Sequence, residues 1–315
     1  MTILLATRMR ADDQAEWLAL LQAALPTEHF VTTRHATTDH FIEVAVVANP
    51  SRGVLQNLPN LRFIQSLWAG VETLLSDTTL PADTPLARMV DPAMNTAMAE
   101  TVLWAVLSLH RGYFECAAAQ LKGCWQSLPQ PRAIDVTVAV LGLGQMGRAA
   151  ALRLVQNGYR VLGWSLTGNT KPSASDGVDA HSGEPALKHL LAEADIVVNL
   201  LPLTAATMGI LNAATFAQMR SGASLVNLAR GAHVNDADLL AALNSGHLSR
   251  AVLDVFHTEP LPTVHPFWTH PKITVLSHVA AQTDPRTAVQ VVAQNLARHR
   301  AGAKPKHLVN RLLGY

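Results

Sequence analysis

The sequence predicts an α/β protein whose main sheet is parallel and doubly wound. Three observations carry that prediction. Short, wholly apolar strand candidates alternate with helical patterns through much of the chain, the pattern of a parallel sheet covered on both faces. The segment Gly142-Leu143-Gly144-Gln145-Met146-Gly147 stands between one such strand and a helix. The chain has 315 residues. That is enough for two domains of roughly 150 residues each, with a substantial core.

The elements follow in order. Residues 3–6, 43–48, 62–66 and 87–90 read as strands: each is short, β-branched or leucine-rich, and bounded by Pro, Asn, Gly or Asp. Residues 12–24 carry apolar side chains at helical spacing, and Pro26 stops them. A long helical pattern runs from Thr96 to Gly112, and Leu128-Pro129-Gln130-Pro131-Arg132 reads as a surface connection. A second series then offers strands at 136–141, 160–163, 196–200, 224–227, 251–254 and 273–276, most of them separated by helices. The polar stretch 167–177 reads as an exposed loop, and 285–302 as a closing amphipathic helix.

Composition narrows the class. Hydrophobic types make up 49% of the chain and charged types 15%, which excludes a disordered, charge-rich polymer. A formal net charge of +1 gives no basic surplus for nucleic acid or an acidic membrane surface. The two cysteines, Cys116 and Cys124, exclude a disulfide framework, lack metal-ligand spacing and fit a reducing compartment. The apolar start is too short for a signal-peptide core, and the run at 102–109 falls short of the ~20 residues that span a bilayer. We expect a soluble cytoplasmic protein with no metal centre.

The glycine-rich segment has a specific physical reading. Gly142 permits a tight turn, Gly144 lets backbone approach a pyrophosphate, and Gly147 lets helix and strand pack closely. Phosphates then face the N–H groups and positive end of the helix at 148–157, beside Gln145 and Met146. The next strand ends at Ser165, where an NAD site usually places an acid for the ribose hydroxyls. No acid follows before Asp176. Its absence removes repulsion against a 2′-phosphate, and Thr167, Asn169 and Lys171 offer contacts to one. No Arg adjoins Ser165, so the chemistry is permissive: NADP is favoured and NAD stays the alternative.

Three patterns downstream each follow a strand candidate. They are Asn227-Leu228-Ala229-Arg230-Gly231, Asp254-Val255-Phe256-His257-Thr258-Glu259-Pro260 and Ser277-His278-Val279-Ala280-Ala281. Ligands of parallel sheets bind beyond the carboxyl ends of strands, so the three converge on one crevice. Arg offers a bidentate fork for a carboxylate, His delivers or takes a proton near neutrality, and a carboxylate fixes the tautomer of its His. Singly each has a plainer reading. Arg230 suits a surface ion pair, Glu259 a turn and His278 a structural histidine; their joint order behind the glycine turn favours chemistry. His233, His247, His257, His265 and His270 sit in polar or Pro-flanked segments and read as solvated.

With Leu200-Leu201-Pro202-Leu203-Thr204 and Thr207 added, these segments resemble the D-isomer-specific 2-hydroxyacid dehydrogenases, and most of all their glyoxylate/hydroxypyruvate reductase branch. The resemblance covers essentially the whole chain and is densest from Val138 to Ala281. It implies that Arg230 clamps a substrate carboxylate, that Glu259 holds His278, and that His278 protonates the carbonyl of a small 2-keto acid as hydride arrives. It also implies cofactor contacts at Leu201, Pro202, Leu228, Ala229, Asp254, His278 and Ala280, with Asp254 on the nicotinamide amide. Trp68-Ala69-Gly70-Val71 resembles the family's substrate loop. The implied fold inserts a Rossmann-type dinucleotide-binding domain, 97–282, into a smaller flavodoxin-like substrate domain, 1–96 and 283–315. Hinges are expected near Met94–Ala97 and Ala281–Pro285, and a homodimer is expected. Two alternatives remain. One is a dehydrogenase of a larger or phosphorylated D-2-hydroxy acid. The other is a cofactor-sensing binding module on the same fold.

Overall fold

Ile3, Leu4 and Leu5 are shut from solvent, so the first strand, β1 (Thr2–Thr7), is apolar on both faces. Such a strand belongs inside a parallel sheet. In the computed structural model, which describes residues 1–168 and 176–315, it is followed by α1 (Ala11–Ala24), β2 (His29–Val31), β3 (Ile42–Ala48), β4 (Phe63–Ser66), α2 (Glu72–Leu75) and β5 (Leu86–Ala87). The five strands pair in parallel in the order β2-β1-β3-β4-β5. They belong to one of two units of the chain, residues Met1–Ala93 with Thr283–Tyr315.

The strand expected at 87–90 is shorter than its sequence suggests. Beyond Ala87 the chain turns away, and Met89 N donates to Trp68 O at 3.0 Å. The C-terminal segment takes the open edge instead. Ala87 bridges antiparallel to Leu308, Arg88 N donates to His307 O at 3.1 Å, and Val309 N donates to Leu86 O at 2.8 Å. A covered edge no longer offers unpaired groups to another chain.

The second unit is Met94–Gln282. Helix α3 (Pro92–His110) starts a turn earlier than its spacing predicts. Proline suits a first helical turn, and Asp91 Oδ1 accepts the Ala93 N–H at 3.0 Å. Then come α4 (Tyr113–Leu121), β6 (Thr137–Leu141), α5 (Gln145–Gln156), β7 (Arg160–Ser165), β8 (Val178–Ser182), α6 (Glu184–Glu193), β9 (Ile196–Asn199), α7 (Ala213–Gln218), β10 (Ala223–Asn227), α8 (Asp236–Asn244), β11 (Leu248–Leu253) and β12 (Ile273–Val275). The strands form a parallel sheet in the order β12-β11-β10-β9-β6-β7-β8. Alternate residues feed two cores. Leu141, Trp164, Val197, Leu225 and Leu253 enter one. Val140, Val161, Val198, Val226 and Val252 enter the other. That is the period of two of a strand buried on both faces.

The winding reverses between β6 and β9, the topological switch beyond which a crevice opens in doubly wound sheets. The register makes the strand ends level. Leu141 pairs with Asn199, Asn199 with Asn227, Asn227 with Leu253, and Leu253 with Val275. The loops that carry the candidate residues therefore leave the sheet along one row. Among the described residues no helix is long and apolar enough to cross a membrane.

The last helix, α9 (Pro285–Arg300), returns to the first unit. Its buried Asn295 donates through Nδ2 to Gln65 Oε1 of β4 at 2.8 Å and accepts from Lys306 N at 2.8 Å. Asn295→Ala strands the buried amide oxygen of Gln65 away from water, at a cost of about 1–3 kcal/mol for such a group. Urea unfolding should show a loss of that size. An unchanged unfolding midpoint would mean that α9 is held by its apolar face alone.

Candidate active site

The glycine turn is built as its spacing requires. Gly142 adopts φ 98°, and a Cβ there would stand 2.6 Å from Leu200 O. A Cβ on Gly147 would lie 1.7 Å from Gly142 O, so only glycine lets α5 pack this close to the turn. Gly144 is different: a Cβ there would meet nothing within 4 Å. Gly144 and Gln145 are exposed and Met146 is half-buried. The first N–H groups of the 12-residue α5 thus face open space. This cradle fits the pyrophosphate of a dinucleotide.

Ser165 ends β7 half-buried, and Thr167 is exposed. Asp176, the next acid in the chain, is ion-paired with Arg148 of α5. Asn169 and Lys171 lie outside the described residues. Pro202 is half-buried, whereas Leu201, Leu228, Ala229 and Ala280 are buried.

Asp254 follows β11 and is almost wholly buried. Its Oδ1 accepts from Val279 N at 2.8 Å and its Oδ2 from Ala280 N at 3.0 Å, while its carbonyl accepts from His278 N at 2.9 Å. These bonds hold His278 in the left-handed region, φ 57°, a conformation that is uncommon for histidine. The resemblance implies a nicotinamide amide contact for Asp254. In the structure each of its oxygens accepts one backbone N–H from the segment that presents His278.

The presented imidazole stands half exposed, with Nδ1 2.6 Å from Glu259 Oε2. The other oxygen, Oε1, accepts from Phe256 N at 2.9 Å and fixes the carboxylate. An acceptor on Nδ1 sets the tautomer and leaves Nε2 as the atom that handles a substrate proton. Arg230 follows β10 and is half-buried, and its Nη1 donates to Ala229 O at 2.6 Å. At Gly231 a Cβ would lie 2.0 Å from Phe256 C. Glycine therefore lets the Arg230 loop press against the backbone of the Glu259 loop. In the first unit, Trp68 N donates to Ser66 Oγ at 3.0 Å. Ala69 and Gly70 there are half-buried, and Val71 is buried ahead of α2.

The family profile described as D-isomer specific 2-hydroxyacid dehydrogenase, NAD binding domain, matches residues 103–280. The chain is 37% identical over 305 residues to glyoxylate/hydroxypyruvate reductase A of Yersinia enterocolitica, covering 95% of this chain and 96% of that protein. The corresponding protein of Serratia proteamaculans is 39% identical over 305 residues, with the same shares covered. This chain belongs to the D-isomer specific 2-hydroxyacid dehydrogenases. Two solved structures of this kind superpose over its full length. A D-isomer specific 2-hydroxyacid dehydrogenase from Xanthobacter autotrophicus Py2, in complex with NADPH and MES, has a TM-score of 0.92 at 37% identity, covering 100% of this chain and 99% of that one. An NADPH-dependent glyoxylate/hydroxypyruvate reductase from Sinorhizobium meliloti, in complex with NADP and sulfate, has a TM-score of 0.90 at 33% identity with the same coverage.

One histidine near this site differs from its sequence expectation. His233, expected to be solvated, is wholly buried. It contacts Asn199 and Pro202, which are far from it in sequence. Val234 bridges to Leu211 and draws the short segment inward, a long-range pairing that local sequence does not signal.

Burial pushes the Asp254 carboxyl above the ordinary carboxylate range, against the pull of its two N–H bonds and of His278; Glu259 adds to the rise. The folded state then keeps a proton that the unfolded chain has already lost. The contribution of Asp254 to stability is greatest at low pH and falls as pH climbs from the ordinary Asp range through the raised value. Urea unfolding at a series of pH values should show the advantage of wild type over Asp254→Asn declining across that window and then levelling. A difference that grows with pH would contradict this account.

Proposed function

We propose that the chain is an NADPH-dependent reductase of small 2-keto acids, with glyoxylate and hydroxypyruvate as substrates and D-2-hydroxy acids as products. One observation carries the reading: the His278–Glu259 pair, 2.6 Å apart, is built at the same carboxyl edge of the sheet as the glycine turn. The carboxylate-free end of β7 at Ser165 favours a 2′-phosphate, in keeping with the NADPH and NADP held by the two structural relatives. The unit Met94–Gln282 takes the dinucleotide in this reading, and the Trp68–Val71 loop of the other unit has a substrate-binding role.

A nicotinamide dinucleotide held at the Gly142–Gly147 turn would supply the hydride for the keto carbon. Arg230 meets the substrate carboxylate with its planar fork and draws charge from the adjacent carbonyl. Glu259 keeps the imidazole oriented through Nδ1. The Nε2 proton of His278 passes to the carbonyl oxygen as the carbon gains its hydride, so the alkoxide is quenched as it forms. The exposed ring then recovers a proton from water. We also infer a cytoplasmic homodimer. Trp104, Tyr113, Leu121 and Trp125 expose apolar surface along α3, α4 and the segment beyond, and both cysteines are free.

His278→Ala should lower kcat by about 10²–10⁴-fold, the range for a lost general acid. NADPH binding, read by fluorescence, should be nearly unchanged. Undiminished NADPH oxidation by this variant in a single turnover would sink the assignment. Arg230→Ala should raise KM for glyoxylate roughly 10–100-fold, as loss of charge-assisted hydrogen bonds does. NADPH affinity should move far less, and equal losses for both ligands would argue against a carboxylate clamp.

A further inference from the structure

The loops that follow β9 and β10 share a buried polar circuit that the chemistry above leaves unused. Asn199, Asn227 and His233 are each at most 1% exposed. Three such side chains at the edge of a sheet are costly unless their polar atoms are paired. The hydrogen bonds assign each atom a role. Asn199 Oδ1 accepts from Leu201 N at 3.2 Å, so its Nδ2 is the donor end. That Nδ2 gives one hydrogen to Asn227 Oδ1 at 3.0 Å and the other to His233 Nδ1 at 3.0 Å. Asn227 Oδ1 also accepts from Ala229 N at 3.3 Å, and its Nδ2 donates to Arg230 O at 3.0 Å. His233 Nε2 faces Pro202 O at 3.3 Å. A carbonyl only accepts, so Nε2 carries the proton and Nδ1 is the acceptor. The site uses the neutral imidazole in one tautomer.

We propose that His233 is a positioning residue for Arg230, acting through Asn199 and Asn227. The circuit fixes the backbone at Ala229 and Arg230 against the Leu201–Pro202 turn. A small tilt there is magnified at the end of the long Arg230 side chain. The proposal rests on the reading of Arg230 as the carboxylate clamp. It goes beyond that reading by assigning the clamp's aim to a residue that need not touch substrate, and by predicting which of the two ring nitrogens matters.

Two amide variants separate the nitrogens. Asn puts an amide oxygen near the place of Nδ1 and can still accept from Asn199. Gln puts an amide nitrogen near the place of Nε2 and can still donate to Pro202. Full-length His233→Leu, His233→Asn and His233→Gln are compared with Arg230→Ala. KM and kcat for glyoxylate are measured at saturating NADPH, and NADPH Kd by fluorescence. His233→Leu and His233→Gln should raise KM roughly tenfold, the effect of about one lost hydrogen bond. His233→Asn should stay near wild type, and NADPH Kd should change less than KM throughout. Should His233→Leu not fold, the Asn-against-Gln comparison alone decides. Asn faring no better than Gln, or KM and NADPH Kd moving by one common factor, makes the circuit a support for the fold only and overturns the proposal. A wild-type KM in His233→Leu beside a raised KM in Arg230→Ala overturns the role of His233 and leaves the clamp standing. An unchanged KM in Arg230→Ala removes the clamp, and the proposal with it.

Discussion

The two hydrogen bonds from Val279 and Ala280 to the carboxylate of Asp254 are the constraint on which the catalytic edge depends. They join the end of β11 to the chain leaving β12. They also hold His278 in a backbone conformation that histidine seldom adopts. Without that turn, the ring has no reason to meet Glu259. The fold accepts a carboxyl buried enough to resist ionisation in return for a fixed imidazole. This is the usual relation between a reactive group and the shell that aims it.

The rest of the edge is assembled by close backbone approach. Gly142 abuts Leu200, Gly147 abuts Gly142, and Gly231 abuts Phe256. At each point a side chain would collide with main chain. The parallel register sets Leu141, Asn199, Asn227, Leu253 and Val275 in one row, and the glycines let the loops beyond that row close on one another. The Asn199–Asn227–His233 circuit then locks two of those loops from beneath. Chemistry at this edge is carried by a few exposed groups, but their placement comes from buried ones.

Much of this was legible in the amino-acid order. Wholly apolar strands indicated the parallel sheet, and Gly142 and Gly147 indicated the turn because a side chain at either would collide with main chain. Arg230, Glu259 and His278 stood out only by their joint order after strand candidates. The illegible parts depend on residues distant in the chain. The edge strand β2 has only three residues and the edge strand β8 mixes polar with apolar positions, so neither carries the apolar signal of the inner strands. The C-terminal tail on β5, the burial of His233 and the inward turn of Asp254 each require a partner that local sequence does not name. Periodicity says that a strand-end side chain lies near the crevice, not which of two neighbours it bonds.

In the proposed reaction, hydride from a nicotinamide reaches the keto carbon at this edge while His278 supplies the proton. The direct measurement is the fate of a label: NADPH carrying deuterium at the transferable C4 position, incubated with the full-length protein and glyoxylate in ordinary water. Mass spectrometry of the product should find glycolate with one non-exchangeable deuterium on the carbon that was the carbonyl. Oxidised cofactor with unlabelled glycolate, or tight NADPH binding with no glycolate formed, would contradict the account.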